Sequence, residues 1–237
     1  MKLIGSLLFW IFYVVVSIVI YTAAIPLFLG PRIAVIWGAQ LWACLVLWTL
    51  KVFCGQTYEL RGRQHIPHGA TLIASKHFSM WETIAFMVLV KDPAIVLKRE
   101  LMWIPFYGWY SMKMGMIPID RTAKASAMRL MRRKAKAAKD ADRQIVIFPE
   151  GTRRNPGDDP AYKPGVAGLY TFLELPCVPV ALNSGLVWRG RGLIQNPGKI
   201  VVEFLPQIAP GLRRDAFMAE LESRIETATD RLLSERT

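Results

Sequence analysis

Two long apolar runs, Leu7–Leu29 and Ile33–Phe53, occupy the start of this chain, and no other feature limits its possible folds so sharply. At a rise of about 1.5 Å per residue, each run is long enough as a helix to cross roughly 30 Å of hydrocarbon. Only Gly30, Pro31 and Arg32 separate the runs, so a helical hairpin is expected, with both ends on one side. Residues 1–58 contain no Asp or Glu and only Lys2, Arg32 and Lys51 as charges. Such a hairpin either spans a bilayer twice or dips into one leaflet and returns. A cleaved signal sequence is the lesser reading, because the first run exceeds the usual apolar segment and lacks a clear Ala-x-Ala cleavage site. The basic residues flanking the runs, Lys2, Lys51, Arg61 and Arg63, outnumber Arg32 at the tip. The positive-inside rule therefore expects the rest of the chain on the cytoplasmic face of the inner membrane.

The division implied is a membrane-anchoring hairpin over residues 1–56 and a globular domain over 57–237. The chain of 237 residues carries a net charge of +12, a balance that fits nucleic acid or anionic membrane lipids. The apolar anchor favours the membrane. No aromatic RNA-binding pattern or helix-turn-helix signal supports nucleic acid as a partner. Three cysteines, Cys44, Cys54 and Cys177, offer no disulfide framework and read as core residues in a reducing compartment.

Beyond the anchor, short β-rich runs alternate with helical stretches, the pattern of an α/β domain. Strands are expected at Thr57–Leu60, Thr71–Ser75, Ala94–Lys98, Met116–Ile119, Gln144–Phe148, Val178–Leu182 and Lys199–Leu205, several of them apolar on both faces. Helices are expected at Met80–Val90, Thr122–Ala141, Val166–Leu173 and Asp215–Ser234. In the last of these Phe217, Leu221, Ile225, Ala228 and Leu232 recur at helical spacing, which predicts one buried stripe. The helix from Thr122 is strongly basic, with its charges spread around much of its circumference. A solvated face is the default reading, and contact with anionic headgroups or an acidic acyl carrier is the sharper one.

Only three histidines are present. His65 and His68 flank Ile66-Pro67, a spacing better suited to a polar turn than to a metal site. His77 differs, because it follows the apolar run ending at Ser75 and precedes a helix in Ser75-Lys76-His77-Phe78-Ser79-Met80-Trp81-Glu82. Sites in α/β folds are built at strand ends, and an imidazole suits proton transfer near neutrality. Five positions along a helix turn about 500°, so His77 must precede the helix proper to meet the carboxylate of Glu82. Glu82 also completes a Ser79-x-x-Glu82 capping box, and spacing alone leaves both roles open. A second constellation, Phe148-Pro149-Glu150-Gly151-Thr152-Arg153-Arg154, follows a strand. Its glycine turn and two guanidinium groups suit a phosphate, against the plainer reading of a solvated turn.

Together these blocks, with Gly115-Met116-Ile117-Pro118-Ile119-Asp120-Arg121 between them and Val178-Pro179-Val180 after them, resemble the 1-acylglycerol-3-phosphate O-acyltransferase family of glycerolipid acyltransferases. The resemblance covers roughly residues 57–205. It implies an acyltransferase domain with a mixed sheet flanked by helices, His77 as catalytic base, and Glu82 in the place usually held by Asp. It also implies that Arg121, Glu150, Gly151, Thr152 and Arg153 bind the acceptor's phosphate and glycerol, and that Lys98, Glu100, Pro105 and Gly108 lead into the second block. The activity implied is transfer of a fatty acyl group from acyl-coenzyme A or acyl carrier protein to the sn-2 hydroxyl of 1-acylglycerol 3-phosphate, giving phosphatidate, with no cofactor and no metal.

Attack of an alcohol on a thioester needs a base for the hydroxyl proton and stabilisation of an oxyanion, for which a backbone N–H at the helix start is the natural expectation. A covalent acyl-enzyme fits less well, since no Gly-x-Ser-x-Gly elbow is present and Cys177 has no charged neighbour in sequence. Two alternatives stand beside this reading. One is acylation of another lysolipid, such as a lyso-aminolipid; the other is a catalytically silent, membrane-anchored lipid-binding protein.

Overall fold

The computed structural model describes residues 2–66, 68–120, 124–190 and 192–235. Its strands are β1 (Gln56–Arg61), β2 (Thr71–Ser75), β3 (Pro93–Lys98), β4 (Ile117–Ile119), β5 (Gln144–Ile147), β6 (Cys177–Leu182) and β7 (Gly198–Phe204). Its α-helices are α1 (Lys2–Ala23), α2 (Arg32–Cys54), α3 (Trp81–Leu89), α4 (Tyr107–Lys113), α5 (Lys124–Asp140), α6 (Gly165–Leu173) and α7 (Arg214–Ser234). All seven expected strands are present, with ends shifted by a residue or two. The helix α4 was not expected. Its aromatic residues are indifferent helix formers, and packing decides its conformation: Tyr110 is buried, stacks on Tyr21 and donates its hydroxyl to the Tyr21 carbonyl at 2.6 Å.

The strands form one mixed sheet in the order β1-β7-β6-β2-β5-β3-β4. From β6 to β4 all neighbours run parallel, whereas β7 is antiparallel to β6 and β1 is parallel to β7. Strands β2, β5 and β6 are buried along their whole lengths, as their unbroken apolar composition requires of strands covered on both faces. One face is covered by α5, α6 and α7, whose apolar side chains pack with Leu72, Ile145 and Cys177. The predicted stripe on α7 is buried throughout.

The opposite face is covered by the hairpin together with α3 and α4. Phe9, Ile36, Val46 and Leu50 share one apolar cluster with Trp81, Phe86, Val146 and Val202. The hairpin is tied to the rest of the molecule at both of its ends. Near the tip, Arg32 donates twice to Asp92, at 2.8 and 2.6 Å, and Arg143 meets the same carboxylate at 2.9 Å. Near the chain start, Trp10 donates to the Leu193 carbonyl at 2.7 Å, and Ser6 accepts the Gln195 N–H at 2.8 Å. The two helices therefore lie lengthwise along the domain. Both are long and apolar enough to cross a membrane; α1 is largely uncovered by protein and α2 is nearly half covered.

Candidate active site

Parallel β2, β5 and β6 end at the same edge of the sheet, which brings three distant segments together: His77 after β2, Phe148–Arg154 after β5, and Asn183-Ser184 after β6. The main chain of His77 is held on both sides. Its N–H donates to Glu150 Oε2 at 3.2 Å, and its carbonyl accepts the Arg154 N–H at 2.9 Å. The imidazole stacks on Phe148 with ring centroids 4.2 Å apart.

Helix α3 begins at Trp81, so His77 lies outside it, as the turn angle required. Its Nδ1 is 2.9 Å from Glu82 Oε1. That same oxygen accepts the N–H groups of Phe78 and Ser79, each at 2.6 Å. The second oxygen accepts the hydroxyls of Ser79 and Ser184, each at 2.8 Å. Glu82 thus caps the backbone and orients the imidazole with one fully buried carboxylate. Burial opposes its charge, but His77 and the donors of Ser79 hold it below the usual carboxylate range. An ionised carboxylate only accepts, so Nδ1 carries the proton and Nε2 keeps the ring's lone pair, as a base would need.

Of the other expected site residues, Glu150 is turned inward and fully buried, with Lys76 Nζ 2.9 Å from its Oε1. Burial pushes its carboxyl up in spite of that partner and the His77 N–H. A carboxylate held in this way supports the backbone beneath His77, and Glu150 also belongs to the lining of the main cavity. Gly151 adopts φ +66° where the chain turns away from β5, a conformation that suits glycine. Gly151, Thr152 and Arg153 line the main cavity, and Arg153 reaches the Gly190 carbonyl at 3.5 Å. Arg121 lies outside the described residues. Lys98 is paired with Glu100 at 3.1 Å. Gly108 packs so tightly that a Cβ there would lie 1.9 Å from the Met102 carbonyl oxygen.

The cavity beside His77 has a volume of about 1120 Å³, above the roughly 300–1,000 Å³ usual for small-molecule sites. It runs between the sheet and the hairpin. Its walls include Tyr13, Tyr21 and Trp42 from the hairpin, Met128 from α5, and the polar groups of His77, Arg153 and Lys163. An apolar chamber with a base and cations in its lining can hold a hydrocarbon chain while a polar head meets the charged groups.

At the start of α3 the N–H groups of Phe78, Ser79 and Trp81 are taken by Glu82 and by Ser79 Oγ, which narrows the expected backbone oxyanion donors to the other N–H groups of that stretch. His65 donates its Nδ1–H to the Phe204 carbonyl oxygen at 2.8 Å, as a turn residue would. Cys177 is fully buried, and burial raises its thiol far above the ordinary value, unlike a nucleophile. Ser184, Lys163 and Lys76 escaped sequence reasoning. Lysine beside the key histidine was the one visible signal among them, whereas Ser184 meets Glu82 across 102 positions and leaves no local trace.

Residues 57–183 match a family model described as Acyltransferase. A 1-acyl-sn-glycerol-3-phosphate acyltransferase of Pseudomonas aeruginosa is 32% identical over 196 residues, covering 83% of this chain and 76% of that protein. The alpha form of the enzyme so named from Mus musculus is 28% identical over 184 residues, 76% of this chain and 65% of its own length. The Limnanthes alba protein of the same name is 31% identical over 166 residues, and the match spans 57% of it. A crystal structure of the 1-acyl-sn-glycerophosphate acyltransferase from Thermotoga maritima superposes with a TM-score of 0.82, covering 100% of both chains at 19% identity. That last likeness speaks for the fold.

Proposed function

The chain belongs to the 1-acylglycerol-3-phosphate acyltransferase family, and on that premise we propose that it transfers a fatty acyl group from acyl-coenzyme A or acyl carrier protein to the sn-2 hydroxyl of 1-acylglycerol 3-phosphate. The observation that carries this reading is the His77–Glu82 pair at 2.9 Å, with His77 in the wall of a large apolar cavity whose lining also holds Arg153 and Lys163.

In this mechanism Nε2 of His77 takes the proton of the acceptor hydroxyl as its oxygen forms a bond to the thioester carbonyl carbon. Glu82 stabilises the resulting imidazolium through Nδ1–H. The carbon–sulfur bond then breaks, and the imidazolium returns its proton to the departing thiolate. No covalent acyl-enzyme is needed. Arg153 and Lys163, with Arg121 from the second block, are the cations assigned to the acceptor phosphate, and the apolar cavity is assigned to acyl chain. Glu150 is assigned to positioning His77.

The reading extends to the membrane. The outward faces of α1 and α2 expose large apolar side chains such as Leu7, Ile11, Ile18, Trp37 and Leu41, which water does not tolerate as one surface. A hairpin tied to the domain at both ends fits burial in one leaflet, with the domain beside it at the cytoplasmic surface of the inner membrane. A spanning hairpin would have to carry the Arg32–Asp92–Arg143 cluster to the far side.

The test is a purified enzyme assay with 1-acylglycerol 3-phosphate and each donor in turn. Phosphatidate is expected, falling by about 10² to 10⁴ in His77→Ala. No phosphatidate from either donor would sink the acceptor assignment, and turnover of a phosphate-free lysolipid under the same conditions would replace it.

A further inference from the structure

We propose that Lys76 and Glu226 are positioning residues, through which the C-terminal helix α7 holds His77 in its working orientation. This rests on the reading of His77 as the base. Helix α7 lies beyond residues 57–183, the stretch that matches the family model, so the inference concerns a part of the chain that the family match does not reach.

The lysine next to His77 is almost wholly buried, with a side-chain exposure of 3%. Burying an ammonium is costly unless its donors are satisfied. Its Nζ lies 2.9 Å from Glu150 Oε1, and 2.9 and 2.8 Å from the two oxygens of Glu226, so three oxygens face its three donors. Glu150 passes the constraint on, because its other oxygen accepts the His77 N–H at 3.2 Å. Tyr162 donates to Glu226 Oε1 at 2.7 Å, one residue before the cavity-lining Lys163. The network therefore links α7 to the base and to the segment that carries a cavity cation.

Glu226 is not needed to dock its own helix. Phe217, Leu221, Ile225 and Leu232 are all fully buried and hold α7 against the sheet. Nor is an ammonium buried between one buried and one partly exposed carboxylate an effective stabiliser. Its consequence is geometric. A second cavity, of about 340 Å³, lies on the side of the catalytic segment lined by Lys76, Phe78, Asn155 and Glu226. Without Glu226 the lysine has room to swing into that space, releasing Glu150 and with it the His77 main chain.

The experiment measures steady-state kinetics and thermal melting of full-length wild type, Glu226→Ala, Glu226→Gln, Lys76→Met, the double variant K76M/E226A, and His77→Ala. Glu226→Ala is expected to melt cooperatively while kcat falls roughly ten- to a hundredfold, as for a displaced catalytic group, with KM changed less than about twofold. Glu226→Gln keeps an oxygen for Lys76 and is expected to recover most of the loss. K76M/E226A should be no slower than Lys76→Met, because Glu226 acts through the lysine. If Lys76→Met fails to fold around the unpaired Glu150, K76M/E150Q replaces it in the cycle. Wild-type kcat in folded Glu226→Ala, no rescue by Gln, or multiplicative losses in the double variant would each overturn the proposal. Inactive His77→Ala beside unaffected Glu226→Ala would sink this inference alone, whereas fully active His77→Ala would sink the base assignment and this inference together.

Discussion

Glu82 gathers five hydrogen-bond donors on two oxygens, and that arrangement dictates how it responds to substitution. Gln at this position can place its carbonyl where His77, Phe78 and Ser79 converge. Its NH₂ would then face the hydroxyls of Ser79 and Ser184, which can rotate to accept. Glu82→Gln is therefore expected to fold, while turnover falls by about 10² or more through loss of the charge that stabilises the imidazolium. Near-native turnover in a phosphatidate assay would reduce Glu82 to a cap. Glu82→Ala would strand the N–H groups of His77, Phe78 and Ser79 and leave the Ser79 and Ser184 hydroxyls only each other, at a cost of about 3–5 kcal/mol read from chemical denaturation. A pH dependence follows from the same carboxylate. Its folded value is depressed, so its stabilising contribution is complete above the ordinary carboxylate value of about 4.3 and is lost as pH falls through the folded value. Asp92 acts in the same direction, since Arg32 and Arg143 overcome its burial, whereas Glu150, raised by burial, acts in the opposite direction by gaining a proton earlier as pH falls. The melting temperature of wild type should drop in acid, and more shallowly for Glu82→Gln; equal slopes would show that Glu82 is not ionised in the folded protein.

Among the helices, the hairpin and α5 show how packing sharpens what composition leaves broad. Gly5 brings α1 against the end of α2 so closely that a Cβ there would lie 2.2 Å from the Phe53 carbonyl oxygen. Gly5→Ala must push the helices apart and is expected to cost about 1–3 kcal/mol, seen as a lower melting temperature in detergent. An unchanged melt would show that the hairpin tolerates a wider spacing. Helix α5, whose charges looked evenly spread, has a distinct inner face: Ala127, Met131, Ala135 and Ala138 pack against the sheet and α6, while Arg129, Arg133, Lys134 and Lys136 are exposed. The even spread was an effect of small alanines, which mark a buried stripe less clearly than leucines do.

For the molecule as a whole, the hairpin's attachment at both ends governs how it can sit in a bilayer. A cysteine in place of Gly30, at the tip, and one in place of Asp158, in an exposed loop of the domain, are expected to react with a membrane-impermeant thiol reagent from the same side, on a Cys44→Ser background. Labelling from opposite sides would mean a spanning hairpin and a rearranged Arg32–Asp92 contact. Sequence alone determined the apolar hairpin, all seven strands and the buried stripe of α7, and it named Glu82 as one candidate partner of His77 without deciding between that role and a helix cap. These are recorded in side-chain periodicity and in the geometry of one turn, both of which act over a few residues. Tertiary structure decided that Glu82 is at once cap and partner, that Glu150 points inward, that Tyr107–Lys113 is helical, and that the hairpin lies along the sheet. Each of these depends on contacts between segments far apart in the chain, such as Lys76 with Glu226 across 150 positions. Only the joining of strand ends at one sheet edge, and the burial that follows, fixes which of several satisfied arrangements a polar side chain adopts.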